Sequence, residues 1–437
     1  MQAILRLHVT QRRRQICACA VCLLIALPVR SAEIAVKLTG PPQIVPRVSF
    51  GMHMHRVDAG TPWPSIPFGT WRLLDAYVNW LNLQPARDRW DFAKLDRYVS
   101  LAENARVEIL LPLAYAPAWA SARPTEPGPY GPGTAAEPAN LEDWRNYVRT
   151  VASRYRGRIR HFELWNEVNV RQHFSGSLDR LLEMEREAAR VLKEVDPANL
   201  LISPSFVGEG RHREFDAYLA KGGGRAADII GWHFYLVNFP PEELADRLIR
   251  PVREVMARHG LGNKPLWNTE TGYRIENADG SAESFHVDRN WKMRNNTEAA
   301  AFVARALVLN WANGVERVYW YAWDNQNLGL IEPTTKVVKA SARAYGATAR
   351  WLVGARLSEC VREAGGTWRC TLTRDPNRRA YLLWREDGES AYALPAEWNV
   401  QEVEPLLGSP AATKGATVTL GPLPVLAKAD RLPWGAQ

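Results

Sequence analysis

Cysteine is scarce in this chain, with five in 437 residues, three of them (Cys17, Cys19 and Cys22) within the first 32. That excludes a fold built on disulfides, and no Cys/His spacing matches a four-ligand zinc site. No apolar run approaches the ~20 residues of a membrane-spanning helix. The longest, Ile16–Val29, has fourteen residues. No Gly-rich turn follows an early strand, which argues against a doubly wound dinucleotide-binding fold. Acidic residues are absent from the first 32 positions, where Arg6, Arg12, Arg13, Arg14 and Arg30 all fall.

The basic start, the apolar run and the small residues Ser31 and Ala32 predict a secretory signal over residues 1–32. Arg13-Arg14 also permits a twin-arginine export route. The expected location is therefore the periplasm or the cell exterior, with no integral span. Removing the signal lowers the formal charge from +8 to 50 − 47 = +3. Nucleic acid is then not an expected partner. Cys360 and Cys370 remain, ten residues apart, and an oxidising compartment predicts a disulfide between them. Oligomeric state is not readable from the sequence.

Composition is that of a globular protein, 46% hydrophobic and 23% charged, which excludes disorder. The unusual count is 18 Trp, above Tyr (14) and Phe (11). Trp presents flat apolar faces suited to sugar rings.

Short apolar segments alternate with helical ones. Strands are predicted at 48–55, 69–74, 107–114, 160–165, 200–204, 228–233, 265–268 and 318–323. Helices are predicted at 91–104, 141–155, 178–195, 215–221, 242–259, 297–313 and 337–352. Eight buried strands interleaved with helices predict a (β/α)8 TIM barrel of the α/β class over 47–353. From about Ala355 short alternating runs separated by turn residues predict a small C-terminal antiparallel β-sandwich over 354–437. Residues 33–46 are expected to add a strand to it.

In such a barrel the chemistry lies at the C-terminal ends of the strands. Glu167 follows the fourth predicted strand and Glu270 the seventh. Two carboxylates facing one pocket are the minimum equipment for glycoside hydrolysis. His53 and His55 alternate along the first strand and point the same way. With His233 they offer three metal ligands, but sugar hydrogen bonding explains polar groups at a barrel mouth, and no metal or cofactor is expected. Trp119, Trp320 and Trp323, near the ends of strands three and eight, are candidates for stacking on sugars. Glu163 shares parity with Glu167 and is read as a buried partner for an Arg inside the barrel.

The segment Phe162-Glu-Leu-Trp-Asn-Glu-Val-Asn169, with Thr269-Glu270 and Tyr319-Trp320, resembles glycoside hydrolase family 39 within the large retaining (β/α)8 clan. The usual Pro after Asn-Glu is Val168 here. The resemblance implies double displacement, with Glu167 as acid/base and Glu270 as nucleophile. It implies that Arg72 holds Glu270 charged and that Asn166 bonds the sugar 2-hydroxyl. It places His233 or Tyr235 against the nucleophile or the sugar. A polysaccharide or oligosaccharide is the expected substrate, with bacterial exopolysaccharide hydrolases and β-xylosidases among similar proteins. Two other readings compete: a non-catalytic carbohydrate-binding or assembly protein on a hydrolase fold, and a transglycosylase.

Overall fold

The computed structural model describes residues 34–38, 40–282, 290–375, 378–412, 417–431 and 434. The expected signal at 1–32 lies outside them. The first strand, β1 (Ile34–Leu38), belongs to the C-terminal domain. The next eight form the barrel: β2 (Phe50–His53), β3 (Thr70–Arg72), β4 (Glu108–Leu113), β5 (His161–Leu164), β6 (Leu200–Ile202), β7 (Ile230–Trp232), β8 (Leu266–Thr271) and β9 (Val315–Trp320). Neighbours pair in parallel in chain order, β9 returns to β2, and a parallel Ile202–Ile229 bridge closes β6 on β7.

Side-chain alternation builds two shells. Leu110, Ile202, Ile229, Trp267 and Tyr319 fill the barrel interior as a separate cluster. Residues of opposite parity pack outward, such as Trp71 against Tyr98 of the helix Ala93–Asn104, with ring centroids 4.9 Å apart. That period-two division follows from the pleat.

The helical layer consists of α1 (Trp80–Leu83), α2 (Ala93–Asn104), α3 (Leu141–Arg154), α4 (Leu178–Val195), α5 (His212–Ala220), α6 (Arg250–Arg258), α7 (Asn296–Ala312) and α8 (Ala340–Leu352). Their starts carry local signals. Asn140, Ser177 and Asn295 each accept a hydrogen bond from the first turn of α3, α4 and α7. The helix expected over 242–259 is instead a 3-10 turn, a π turn at Ala245–Ile249 and then α6. Pro251 is the physical reason, because it has no N–H to give and crowds the preceding turn, which widens. Between β2 and β3 the described chain has only the 3-10 turn Val57–Ala59. No helix among the described residues is long and apolar enough to cross a membrane.

The C-terminal domain is a β-sandwich. Strand β1 pairs with β10 (Arg356–Glu363), followed in the sheet by β11 (Thr367–Arg374) and β12 (Arg378–Arg385). The sheet continues through β17 (Val425–Lys428), β14 (Glu402–Pro405) and β15 (Ala411–Ala412). A second ribbon, β13 (Ser390–Ala393) with β16 (Thr417–Leu420), covers it over Tyr381, Leu383, Leu394 and Leu420. The alternating runs 367–373, 380–385, 391–394, 400–403 and 417–420 predict β11, β12, β13, β14 and β16, whereas β10, β15 and β17 have no predicted run. Cys360 faces Cys370 across β10 and β11, and the two form a disulfide.

Trp indoles join the domains. Trp384 donates to Glu242 at 2.8 Å, Trp351 to Glu404 at 2.9 Å, and Trp434 to the Trp351 carbonyl at 2.8 Å. Ten of the 18 Trp are fully buried, so most of the Trp excess builds core and interface rather than a sugar lining.

Candidate active site

Arg72 is the hub of the barrel mouth. It closes β3, is 0% exposed, and its guanidinium reaches three groups, one on β5, one in the turn just after β5 and one on β8. Nε donates to Glu163 at 2.5 Å, Nη1 to Glu270 at 2.8 Å and Nη2 to the Asn166 amide oxygen at 2.9 Å. A fully buried guanidinium is tolerated only when its charge and donors are matched this way. Burial opposes its charge, but the Glu163 and Glu270 carboxylates outweigh burial and raise its pKa. Glu163 is the buried Arg partner expected from its parity, and its other oxygen accepts from the Thr269 hydroxyl at 2.7 Å.

Consecutive residues Thr269 and Glu270 both reach inward, Thr269 to Glu163 and Glu270 to Arg72. A regular strand forbids that, since neighbours face opposite sides. The β8–β9 register shifts between Asn268 and Thr271, and this irregularity turns Glu270 into the mouth. Glu167 is aimed by a different device. It lies just past β5 with φ of 44°, and Trp165 has φ of 59°. Left-handed backbone at two bulky residues is strained. The Glu167 N–H is held by the Ser205 hydroxyl at 3.1 Å. Val168, where the related motif has Pro, donates its own N–H to the Ser205 carbonyl at 3.1 Å. A proline has no such donor.

The two carboxyls have unequal partners. Glu270 receives Arg72 and the Tyr235 hydroxyl at 2.9 Å. Glu167 meets His233 Nδ1 at 2.9 Å and His173 Nε2 at 3.5 Å. Oxygens of Glu167 and Glu270 lie within 4.8 Å of each other. Burial pushes both carboxyls up, Glu270 to about 7, with His233 and Arg72 pulling it down and Glu167 and Asp75 pushing it further up. Two carboxylates this close and this dry share a proton. If Glu167 holds that proton, its repulsion of Glu270 disappears, and Arg72 and Tyr235 favour a charged Glu270.

His53 and His233 are neutral. Burial lowers His233 to about 4 and drives His53 well down. His53 Nε2 faces the Thr269 carbonyl at 3.1 Å, so that nitrogen carries the hydrogen. Nδ1 is then a buried acceptor without a protein partner. His55 sits 8% exposed beside Asp324, with Nδ1 at 3.9 Å. The rings of His53 and His55 are 6.3 Å apart. Both histidines therefore lie in the mouth, but the set His53, His55 and His233 is not the cluster with metal-ligand geometry. Among the described residues that cluster is Glu167, His233 and Glu270. Arg72, 2.8 Å from the other Glu270 oxygen, supplies a fixed positive charge beside that cluster.

The predicted Trp platforms fare differently. Trp320 is 0% and Trp323 1% exposed, and their indoles donate to the Leu328 and Pro62 carbonyls. Neither has a face open to a sugar. Alternation explains the error for Trp320, because it faces outward while Tyr319 and Tyr321 face inward. Trp119 is partly exposed, but Arg87 covers its ring at 4.7 Å and it packs on Trp80.

Aromatic residues not anticipated from the sequence line the mouth instead. Tyr321 lies 5.1 Å from His53 and 5.0 Å from His55, and its hydroxyl donates to Asp75 at 2.6 Å. Tyr130 donates to the other Asp75 oxygen. Tyr115 contacts His173 Nδ1 at 2.9 Å, behind Glu167. Trp291 packs on Tyr235 at 5.3 Å. Inward parity could have found Tyr321; the others come from loops, where periodicity carries no information.

Fold and site together define a (β/α)8 barrel with a β-sandwich and a paired-carboxylate pocket at its C-terminal mouth. No family model matches the sequence, and no curated protein matches it. Solved structures do resemble it. A family 39 glycoside hydrolase from Bacteroides cellulosilyticus WH2 superposes with a TM-score of 0.68 at 18% identity, covering 88% of this chain and 82% of that one. A family 39 β-xylosidase from Caulobacter crescentus gives 0.63 at 15% identity, covering 91% and 98%. A family 30 endoxylanase from Clostridium papyrosolvens C71 gives 0.60 at 11%, covering 90% and 97%. At such identities the likeness is one of fold.

Proposed function

We propose that this chain is an exported retaining glycoside hydrolase acting on a polysaccharide or oligosaccharide. The observation that carries the reading is the pair Glu167 and Glu270, with oxygens within 4.8 Å and unequal partners. Retaining glycosidases hold their carboxyls ~5–5.5 Å apart, whereas inverting ones need ~6.5–9.5 Å to fit a water. The resemblance of fold to glycoside hydrolases supports the same class.

In this mechanism Glu270, kept ionised by Arg72 and Tyr235, attacks the anomeric carbon. Glu167 gives its proton to the leaving oxygen, and the glycosyl-enzyme ester forms on Glu270. Glu167, now a carboxylate, takes a proton from water, which attacks the same carbon and frees Glu270. Neutral His233 beside Glu167 can donate to the carboxylate or accept from the acid, so it serves both stages. With its oxygen held by Arg72 and its NH2 beside the Tyr115 hydroxyl, Asn166 keeps one N–H to donate to the sugar 2-hydroxyl. His53 Nδ1 is an acceptor for another hydroxyl.

The test is turnover on a polysaccharide and aryl-glycoside panel. Glu270→Gln is expected to lose at least about 10³-fold in kcat. Full activity in both Glu270→Gln and Glu167→Ala overturns the mechanism.

A further inference from the structure

A second feature of the mouth lies outward from the carboxyl pair, at Tyr77 on the loop after β3. Its φ is 55°, left-handed for a bulky aromatic, and its side chain is 52% exposed. Strain and exposure both count against Tyr there; a Gly or Asn would satisfy the backbone, and no core packing requires the ring. The ring is nevertheless held in place. It meets Tyr130 edge-on at 6.3 Å, and Lys94 Nζ stands 5.6 Å from its centroid. Tyr130 bonds to Asp75, and Asp75 bonds to Tyr321 at the catalytic pocket. A continuous tier of side chains thus runs from Glu270's surroundings to Tyr77.

Beside Tyr77 is a cavity of about 520 Å³ lined also by Asn82, Pro85, Asp91 and Lys94. That is within the size range of small-ligand sites. It lies on the rim of the mouth for a topological reason. Barrel helices run antiparallel to the strands, so the start of α2, at Asp91–Lys94, sits on the face where the strands end. The cavity holds one carboxylate, Asp91, and one ammonium, Lys94, and Lys94 also pairs with Asp58 at 3.0 Å. An exposed aromatic face, an amide and balanced charges suit a neutral glycan rather than a polyanion.

We propose that Tyr77 and this cavity form a distal subsite that binds a neutral segment of a polysaccharide chain whose scissile bond lies at Glu167 and Glu270. The inference rests on the hydrolase reading and adds to it a polymeric, uncharged substrate. Tyr77 stacks on a sugar ring, and Asn82, Asp91 and Lys94 bond its hydroxyls.

Affinity electrophoresis of the full chain carrying Glu270→Gln, in gels containing mixed-linkage β-glucan, mannan or xylan, tests binding without turnover. Retardation by at least one of the three is expected. Adding Tyr77→Gly, which removes the ring and suits the backbone, should weaken it about tenfold, while Tyr77→Phe should stay within about threefold. Thermal melting of both variants checks their folding. Equal retardation with and without the Tyr77 ring, or none with any of the three glycans, overturns the subsite. Turnover by the unmodified chain is scored separately: binding that depends on Tyr77 without any hydrolysis defeats the hydrolase reading and leaves the subsite standing.

Discussion

Arg72 and the three acids around it make the first predictions. Glu163 is fully buried, with Arg72 and the Thr269 hydroxyl as its partners. Glu163→Ala leaves a buried guanidinium short of one counter-charge, and such losses cost about 3–5 kcal/mol. A large drop in the denaturation midpoint is expected, and an unchanged midpoint contradicts the hub. Activity has its own signature. Glu167→Ala should slow glycosides with poor leaving groups far more than aryl glycosides whose phenolate departs unaided, because only the former need the acid. Equal slowing of both classes removes Glu167 from that role. The pH profile of kcat/KM should be a bell, with an acid limb from protonation of Glu270 and an alkaline limb from loss of the shared proton. Since both carboxyls are pushed up by burial, the optimum should fall near neutral rather than at the ordinary carboxylate range.

At the scale of elements, two local distortions aim the carboxylates: the irregular β8–β9 register at Glu270 and the left-handed turn at Glu167. Val168→Pro tests the second. It deletes the N–H bond to the Ser205 carbonyl, worth about 0.5–1.5 kcal/mol, and resets the turn that carries Glu167. A loss in kcat larger than the loss in stability is expected; stability loss alone would assign Val168 a packing role. These distortions mark where sequence reading succeeded and stopped. Strand-end Glu167 and Glu270 and the Glu163 partnership follow from parity and barrel topology, whereas the role of Arg72 comes from the family resemblance. Thr269 and Glu270 both facing inward does not, because period-two logic has no place for an irregular register. Trp320 suggests a platform by residue type, but its parity turns it outward into the core. Tyr130, His173 and Asp75 sit on loops, whose shape depends on partners far along the chain.

Across the whole molecule, the site is built at a cost in stability. Burial raises the coupled Glu167 and Glu270 carboxyls above their unfolded values, so the pair's contribution to stability is fully present below the unfolded pKa, near 4.5. It is lost as pH rises through about 7. Glu270→Gln should therefore melt higher than the unmodified chain at pH 8, and the gap should close as pH falls toward 4.5. No gap at pH 8 contradicts the burial account. The Trp excess suggests a sugar lining by composition, but in the fold Trp mostly cements helices and domains.

The central claim is a two-step displacement through Glu270. Proton NMR of the first product released, recorded before mutarotation, tests it directly. Retention of the anomeric configuration is predicted; an inverted first product contradicts the account.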